Sequence, residues 1–560
     1  MDFDLPKDLV DYLAVLDQFI EDKIKPLQAQ DDNERFFDHR REHARTDWDN
    51  QGLPRKDWEE LLAKARKLAD EAGHLRYAWP PEMGGKGGTQ LAMAVIREHL
   101  AAKGLGLFND LQTEHSIVGN NPFILMFKEF ATNAQYERDA DKLLGGKMRT
   151  GFGLTEPNHG SDATFMETTG VRQDKDGKPG WLIQGEKMWT TGMHVATHVM
   201  VFARTSGKDG DATGITCFIV PADTPGVKIE EYMWTFNMPT DHPRVSFTNV
   251  WIPEDSYWGQ VDRGLGLGQS FVHQNRIRQA ASSLGAAQFC INEAVKYARK
   301  RKPFGKPLSD NQAIQWPLVE LQTQCEMLRL LIRKTAWQMD KMDHKEIERT
   351  ISDKVSMCNY WGNRLVCEAS DRAMQVHGGM GYSRHTPFEH IYRHHRRYRI
   401  TEGSEEIQIR KVAAYLFGYL GPKREEFKAL NEAEKAEKQA KDGYVQPVPA
   451  RPESSDPERL DRLDPGDRGC LGGFQVIAGL EVQPELGGRA EQALQAQGRI
   501  DRYRRAAPYQ LLDTRSRNLH ARGDPARRQA VRTDELFQQD LAGMYRCQRV
   551  IGHDLLHRHQ

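Results

Sequence analysis

The chain has 560 residues, more than one hydrophobic core holds, so about three to four domains are expected. Lysine plus arginine number 78 against 79 for aspartate plus glutamate, a balance with no global pull toward nucleic acid or an anionic membrane. No apolar run approaches the roughly 20 residues of a membrane span. The acidic start Met1-Asp2-Phe3-Asp4 lacks the bases of a targeting signal, and seven scattered cysteines without a C-x-x-C pair read as reduced, so a cytoplasmic protein is expected.

Residues 1–149 read as an α-helical domain. Leu9, Tyr12, Leu13, Leu16, Phe19 and Ile20 recur near the 3.6 period, as do Trp58, Leu61, Leu62 and Ala65. Between them, 31–54 is charged and poorly periodic and reads as a surface excursion. Across 150–258 the pattern alternates. Runs at 181–185, 199–203, 215–220 and 244–250, each bounded by Gly, Pro, Asp or Asn, predict strands of a middle β-barrel. Across 259–425 the helical period returns in four long pieces near 268–299, 312–342, 345–377 and 386–397, which predicts a C-terminal four-helix bundle. Beyond Lys441 there is no lysine and the apolar periodicity is faint, so 426–560 is read as a largely disordered tail. The fold class expected is thus mostly α with a central β domain.

Several stretches carry candidate chemistry. Glu402-Gly403-Ser404 breaks two helix-like runs. A carboxylate at such a break can be aimed into a cleft, where apolar surroundings would raise its pKa and make it a general base. The plain alternative is a helix start, with Ser404 as cap and Glu405 and Glu406 at the positive end of the dipole. Gly153-Leu154-Thr155-Glu156 with Gly160-Ser161-Asp162 offers main-chain N–H groups and hydroxyls to an anion or a heteroaromatic edge. Lys187-Met188-Trp189-Thr190-Thr191 sets a stacking ring beside two hydroxyls. The glycines of 263–268 lack the strand-turn-helix setting of a dinucleotide loop and read as a flexible connection. His390, His394 and His395 stand among arginines that would repel a cation; they read as a solvated or interface basic face, with no metal expected.

The order and spacing of these blocks resemble the acyl-CoA dehydrogenase family from about residue 60 to 420. The motifs are Pro81-Glu82-Met83-Gly84-Gly85, Leu154-Thr155-Glu156-Pro157 with Gly160-Ser161-Asp162, Gly185-Glu186-Lys187-Met188-Trp189-Thr190-Thr191, Arg301-Lys302-Pro303-Phe304-Gly305 with Gln312-Ala313-Ile314, Gln375-Val376-His377-Gly378-Gly379, and Glu402-Gly403-Ser404. The resemblance implies FAD bound without a dinucleotide fold, with Leu154, Thr155, Gly160 and Ser161 along the flavin, Trp189 over its ring and the Thr191 hydroxyl at N5. It implies that Arg301, Phe304, Gln312, Gln375 and Gly379 contact the FAD of a neighbouring subunit, hence a homodimer or homotetramer. Ser404 and Glu406 fall at cofactor positions, and Arg276 and Gly403 at substrate positions. Glu402 would take the α-proton of an acyl-CoA while the β-hydrogen leaves as hydride, giving a trans-2-enoyl-CoA and passing electrons to an electron-transferring flavoprotein. Some members carry the base one residue before the arginine matching Arg276; here that residue is Asn275, which leaves Glu402. Asn158-His159, Pro303 and Glu406 depart from the usual pattern and point to a divergent subgroup. Two rivals remain: an acyl-CoA oxidase of the same fold, and a flavin- or nucleic-acid-binding relative without dehydrogenase activity.

Overall fold

The computed structural model describes residues 4–442 apart from 42, 113–116, 120 and 121; of 438–442 it describes the backbone alone. The N-terminal domain is helical, as expected. Helix α1 (Lys7–Phe19) runs through a π-helical turn (Ile20–Ile24) into α2 (Lys25–Ala29), and Leu9, Leu16, Ile20, Ile24 and Leu27 are buried along it. Helix α3 (Lys56–Glu71) buries Trp58, Leu61, Leu62, Ala65 and Ala69, one amphipathic stripe. Helix α4 (Gln90–Ala102) starts at Thr89, whose hydroxyl accepts the Ala92 N–H at 3.1 Å. Helices α5 (Pro122–Phe130) and α6 (Asn133–Leu144) follow, the second opened by a Thr132–Gln135 capping box.

The charged stretch 31–54 is not a simple surface excursion. It carries the hairpin β1 (Thr46–Asp47) and β2 (Leu53–Pro54), and it buries Phe36, Ala44, Arg45 and Thr46. Arg45 is buried because its guanidinium lies over the rings of Phe37 and Trp58 while donating to the Phe36 and Asp110 carbonyls. Polarity predicted exposure; stacking and two main-chain acceptors supply what water would have.

The β domain holds β3 (Thr150–Gly153), β4 (Thr169–Arg172), β5 (Gly180–Lys187), β6 (His198–Arg204), β7 (Ile215–Pro221), β8 (Val227–Tyr232), β9 (Pro243–Pro253) and β10 (Tyr257–Trp258). They form one mostly antiparallel eight-stranded sheet in the order β10-β7-β6-β4-β5-β9-β8, with β3 parallel to β6. Val199, Val201, Phe218, Val245 and Phe247 fill its core.

The bundle contains α7 (Gly264–Lys300), α8 (Gln312–Met339), α9 (His344–Thr350), α10 (Ser352–His377), the short α11 (Gly379–Tyr382), α12 (Phe388–Arg396) and α13 (Glu405–Leu416). The glycine-rich 263–268 stretch, expected to be a flexible connection, is the opening of α7. The helix expected over 345–377 breaks at Ile351, whose φ of −131° ends α9 and starts α10. A Cβ at Gly285 would lie 2.2 Å from the Glu98 carbonyl oxygen, so glycine lets α4 lie directly against α7 and joins the N-terminal domain to the bundle. Of the solvated and interface readings of His390, His394 and His395, the structure shows the second: all three are buried against other elements. His390 stacks on His39, His394 meets Asn237 and Tyr398, and His395 meets Ser283. The first part of the expected disordered tail, to Asp442, is helix α14 (Arg424–Asp442), built from the strong helix formers Ala, Glu, Lys and Leu. The reading of 443–560 lies outside the described residues. No helix among the described residues is long and apolar enough to cross a membrane.

Candidate active site

Glu402 sits between a 3₁₀ turn (Arg397–Arg399) and α13, with φ of +57°, and Gly403 follows at +85°. Two left-handed residues in a row make the sharp break that the sequence suggested. For a glutamate this conformation costs of order 1 kcal/mol or more. Buried side chains hold it from behind. Arg276, on α7, donates to the Glu402 carbonyl from Nε at 2.9 Å and Nη2 at 2.6 Å. Gln408 Nε2 donates to the Gly403 carbonyl at 2.7 Å, and Asn363 Nδ2 to the Tyr398 carbonyl at 3.0 Å. Asn359 ties these together: its Oδ1 accepts from Gln408 and its Nδ2 donates to the Arg276 carbonyl. A Cβ on Gly403 would come within 2.8 Å of Arg276 Nη2, so the clamp requires glycine there.

The carboxyl group of Glu402 has its own setting. Asn275 Nδ2 donates to Oε1 at 3.2 Å. Burial raises the Glu402 pKa above the ordinary carboxylate value, and the charges of Arg276, Arg278 and Arg397 hold that rise back. Ser404 caps α13, accepting the Ile407 N–H at 3.5 Å, so the helix-start reading is also met. Glu405 lies buried between Arg399 and Arg364. Glu406 is exposed.

A second group of expected residues lies on the loop after β3 and the end of β5. Lys187 and Glu156 form an ion pair at 2.7 Å with side chains 0% and 1% exposed. Burial brings Lys187 down to about 8. Glu156 also accepts the Glu167 and Thr168 N–H groups, and Lys187 reaches the Leu154 carbonyl. The pair therefore pins the Leu154–Ser161 loop to β5. The departures in this loop are structural here: His159 meets Asp162 at 2.9 Å, which raises its pKa, and Asn158 reaches Glu167. The Met188 N–H bonds to the Thr155 carbonyl, and Trp189 then turns out at φ +62°, the residue 42% exposed. Thr190 is buried with no partner for its hydroxyl, while Thr191, Gly160 and Ser161 are exposed. An exposed indole, a partnerless hydroxyl and free loop edges on a rigid frame fit a planar heteroaromatic group such as a flavin.

The other expected cofactor residues lie elsewhere. Arg276 packs against Ser356 and Asn359, and Tyr297 against His377 (ring centroids 4.2 Å apart), so α7 and α10 run side by side in the same direction. Arg301, Phe304, Gln375 and Gly379 cluster at their C-terminal ends, about 25 residues of helix or roughly 37 Å from Arg276. All four are exposed, as is Gln312 at the start of α8, and Phe304 is fully so. Sequence reasoning missed Asn359, Asn363, Gln408, Arg364 and Arg399. One signal for the first two was present: Ser352, Ser356, Asn359, Asn363 and Ser370 form a polar stripe at helical spacing on a helix otherwise rich in apolar residues.

Residues 151–250 match the acyl-CoA dehydrogenase middle domain and 262–417 the acyl-CoA dehydrogenase C-terminal domain. The chain is 32% identical to a 3-(aryl)acrylate reductase of Clostridium sporogenes over 63% of its length and 89% of that protein. It is 30% identical to the mitochondrial short-chain specific acyl-CoA dehydrogenase of Bos taurus over 63% of its length and 82% of that protein. Among solved structures, the butyryl-CoA dehydrogenase of Megasphaera elsdenii superposes with a TM-score of 0.60 at 26% identity, over 74% of this chain and all of that one. The chain belongs to the acyl-CoA dehydrogenase family, and its activity class is that of an oxidoreductase.

Proposed function

We propose that this chain is an FAD-dependent acyl-CoA dehydrogenase in which Glu402 is the catalytic base. The observation that carries the reading is the Glu402 turn itself: a carboxyl with a raised pKa, on a left-handed residue clamped from behind by Arg276 and met in front by Asn275. Such a group is placed rather than merely present. Glu402 takes the α-proton of an acyl-CoA thioester, breaking that C–H bond and forming O–H, as the α,β double bond of the trans-2-enoyl product forms. Bound FAD supplies a two-electron acceptor for the β-hydrogen, and an electron-transferring flavoprotein reoxidises it. Leu154, Thr155, Gly160, Ser161, Trp189 and Thr191 would hold the flavin, with Ser404 and Glu406 beside it; Gly403 would shape the substrate side, and Arg276 would do so through the turn it clamps.

The long separation along α7 supports a shared site. Arg301, Phe304, Gln312, Gln375 and Gly379 serve the FAD of a second copy, in a homodimer or homotetramer. The exposed Phe304, Met380 and Tyr382, with Trp316, Val319, Met327 and Leu330 on α8, are what that assembly covers. A monomeric holoprotein in solution would end this part of the reading.

The test is anaerobic bleaching of the bound flavin by a panel of acyl-CoAs. Glu402→Gln keeps the flavin and binds acyl-CoA but bleaches at least about 10³-fold more slowly. Near-normal bleaching removes Glu402 from the mechanism. Prompt reoxidation in air would favour an oxidase instead.

A further inference from the structure

We propose that Asn275 and Arg278 form a positioning relay that orients the Glu402 carboxylate and assigns its proton-accepting oxygen. The proposal rests on the reading of Glu402 as the base, but its geometry stands on its own. Residues 275 and 278 lie one helical turn apart on α7, so their side chains meet. Arg278 Nη2 donates to Asn275 Oδ1 at 3.1 Å, and Asn275 Nδ2 donates to Glu402 Oε1 at 3.2 Å. Asn275 is 4% exposed, so water does not compete for its amide.

The chemistry of the three groups makes this order compulsory. A guanidinium has donors only, so Arg278 can bond the amide through its oxygen and in no other way. That places the amide nitrogen on the far side, where it must donate. An ionised carboxylate only accepts, so Glu402 is the matching partner. Without Arg278 the amide of Asn275 could turn over and present its oxygen to the carboxylate, converting an attraction into a repulsion. Arg278 therefore acts on Glu402 through Asn275 and fixes the sense of that hydrogen bond.

Two consequences follow for the base. A donor on Oε1 stabilises the ionised form against burial. Other charges facing the carboxylate work in the same direction: Arg276 and Arg278 from α7, and Arg397 from the turn after α12. With Oε1 engaged by Asn275, the α-proton is received on Oε2, and the side chain reaches the substrate in one rotamer rather than several. The residue at position 275 is thus a positioning residue, and Arg278 is the residue that makes it one.

The test reads Glu402 directly on the flavin-loaded protein. Its carboxylic acid C=O stretch is followed by infrared difference spectroscopy as a function of pH, the band being assigned by its loss in Glu402→Gln. Arg278→Ala raises the midpoint by about one pH unit, the tenfold worth of one charge-assisted hydrogen bond. Arg278→Lys, which still offers only donors, restores it, whereas Arg278→Gln does not. In an Asn275→Ala background, Arg278→Ala raises the midpoint by less than it does alone, because only the direct effect of the lost charge remains once the relay is cut. An unchanged midpoint in Arg278→Ala, or full additivity with Asn275→Ala, overturns the relay. Wild-type protein that no acyl-CoA bleaches sinks the dehydrogenase reading, while the infrared midpoint still decides the relay.

Discussion

Glu405 anchors the start of α13 three residues after the candidate base, and its removal gives a prediction whose size can be worked out. Its Oε1 and Oε2 accept from Arg399 Nη2 and Nε at 2.7 and 2.8 Å, and from Arg364 Nη2 and Nε at 3.3 and 3.1 Å. The Arg399 bonds, with those of Arg364, bring the carboxyl from its ordinary 4.5 down to about 2 against the opposing effect of burial. That interval corresponds to roughly 3 kcal/mol. Arg364 is 39% exposed, so part of the attraction is screened and about 2 kcal/mol is the expected stabilisation. Because the folded-state pKa is depressed, this stabilisation is complete above 4.5 and drains away as pH falls from there toward about 2. Glu405→Gln replaces an acceptor with an amide that turns a donor toward one of two guanidiniums. Urea unfolding at pH 7 should show a loss of about 2 kcal/mol relative to wild type. The gap should close as the titration is repeated below pH 4.5. A deficit under about 0.5 kcal/mol, the level of an exposed pair, refutes the reasoning. So does a deficit that is the same at low pH.

Gly403→Ala should combine strain at φ +85° with a Cβ 2.8 Å from Arg276 Nη2, costing roughly 1–3 kcal/mol and slowing flavin bleaching as Glu402 is displaced. A thermal melt and a bleaching rate both equal to wild type would count against the clamp. Lys187→Met leaves Glu156 buried without its counter-charge and should cost about 3–5 kcal/mol, with flavin released at lower denaturant than the unfolding midpoint. Replacing both partners at once, as Lys187→Met with Glu156→Leu, should cost no more than the single change apart from the two stranded N–H groups of Glu167 and Thr168. A harmless Lys187→Met would show that the pair does not hold the loop.

The domain order was legible because its signals are periodic: apolar residues at 3.6 spacing in α3, alternation in β6 and β7, then long helical runs. The turn at Glu402 was legible because a glutamate-glycine break between two such runs is local. What failed to show in the chain was polar burial. Arg45, His394 and His395 look like surface residues by type, and only the fold supplies their stacking rings and hydrogen-bond partners. Asn359, Asn363 and Gln408 were hidden for the same reason, since a polar residue on a helix is read as solvent-facing until the buried face is known. The break at Ile351 had a weak local cue, the Thr350 hydroxyl bonded back to the Glu346 carbonyl at 2.6 Å.

The stretch 31–54 lies outside both matched family domains, yet it is bonded to a segment that touches both the Trp189 turn and α12. That segment is 233–242, between β8 and β9. At the Trp189 turn, the Gly192 N–H bonds to the Asp241 carbonyl, and the Thr190 N–H bonds to the carbonyl of Pro243, the first residue of β9. On α12, the helix before the Glu402 turn, Arg393 donates to the Phe236 carbonyl at 2.6 Å and Asn237 meets His394 at 3.3 Å. From outside, Trp234 Nε1 donates to the Gln51 carbonyl at 2.7 Å and the Thr240 N–H to the Gly52 carbonyl at 2.9 Å. The excursion also reaches α12 directly, through His39 stacked on His390. A loop bonded on three sides has little freedom to move, so the Trp189 turn and α12 are tied to one segment that residues near position 50 hold from outside.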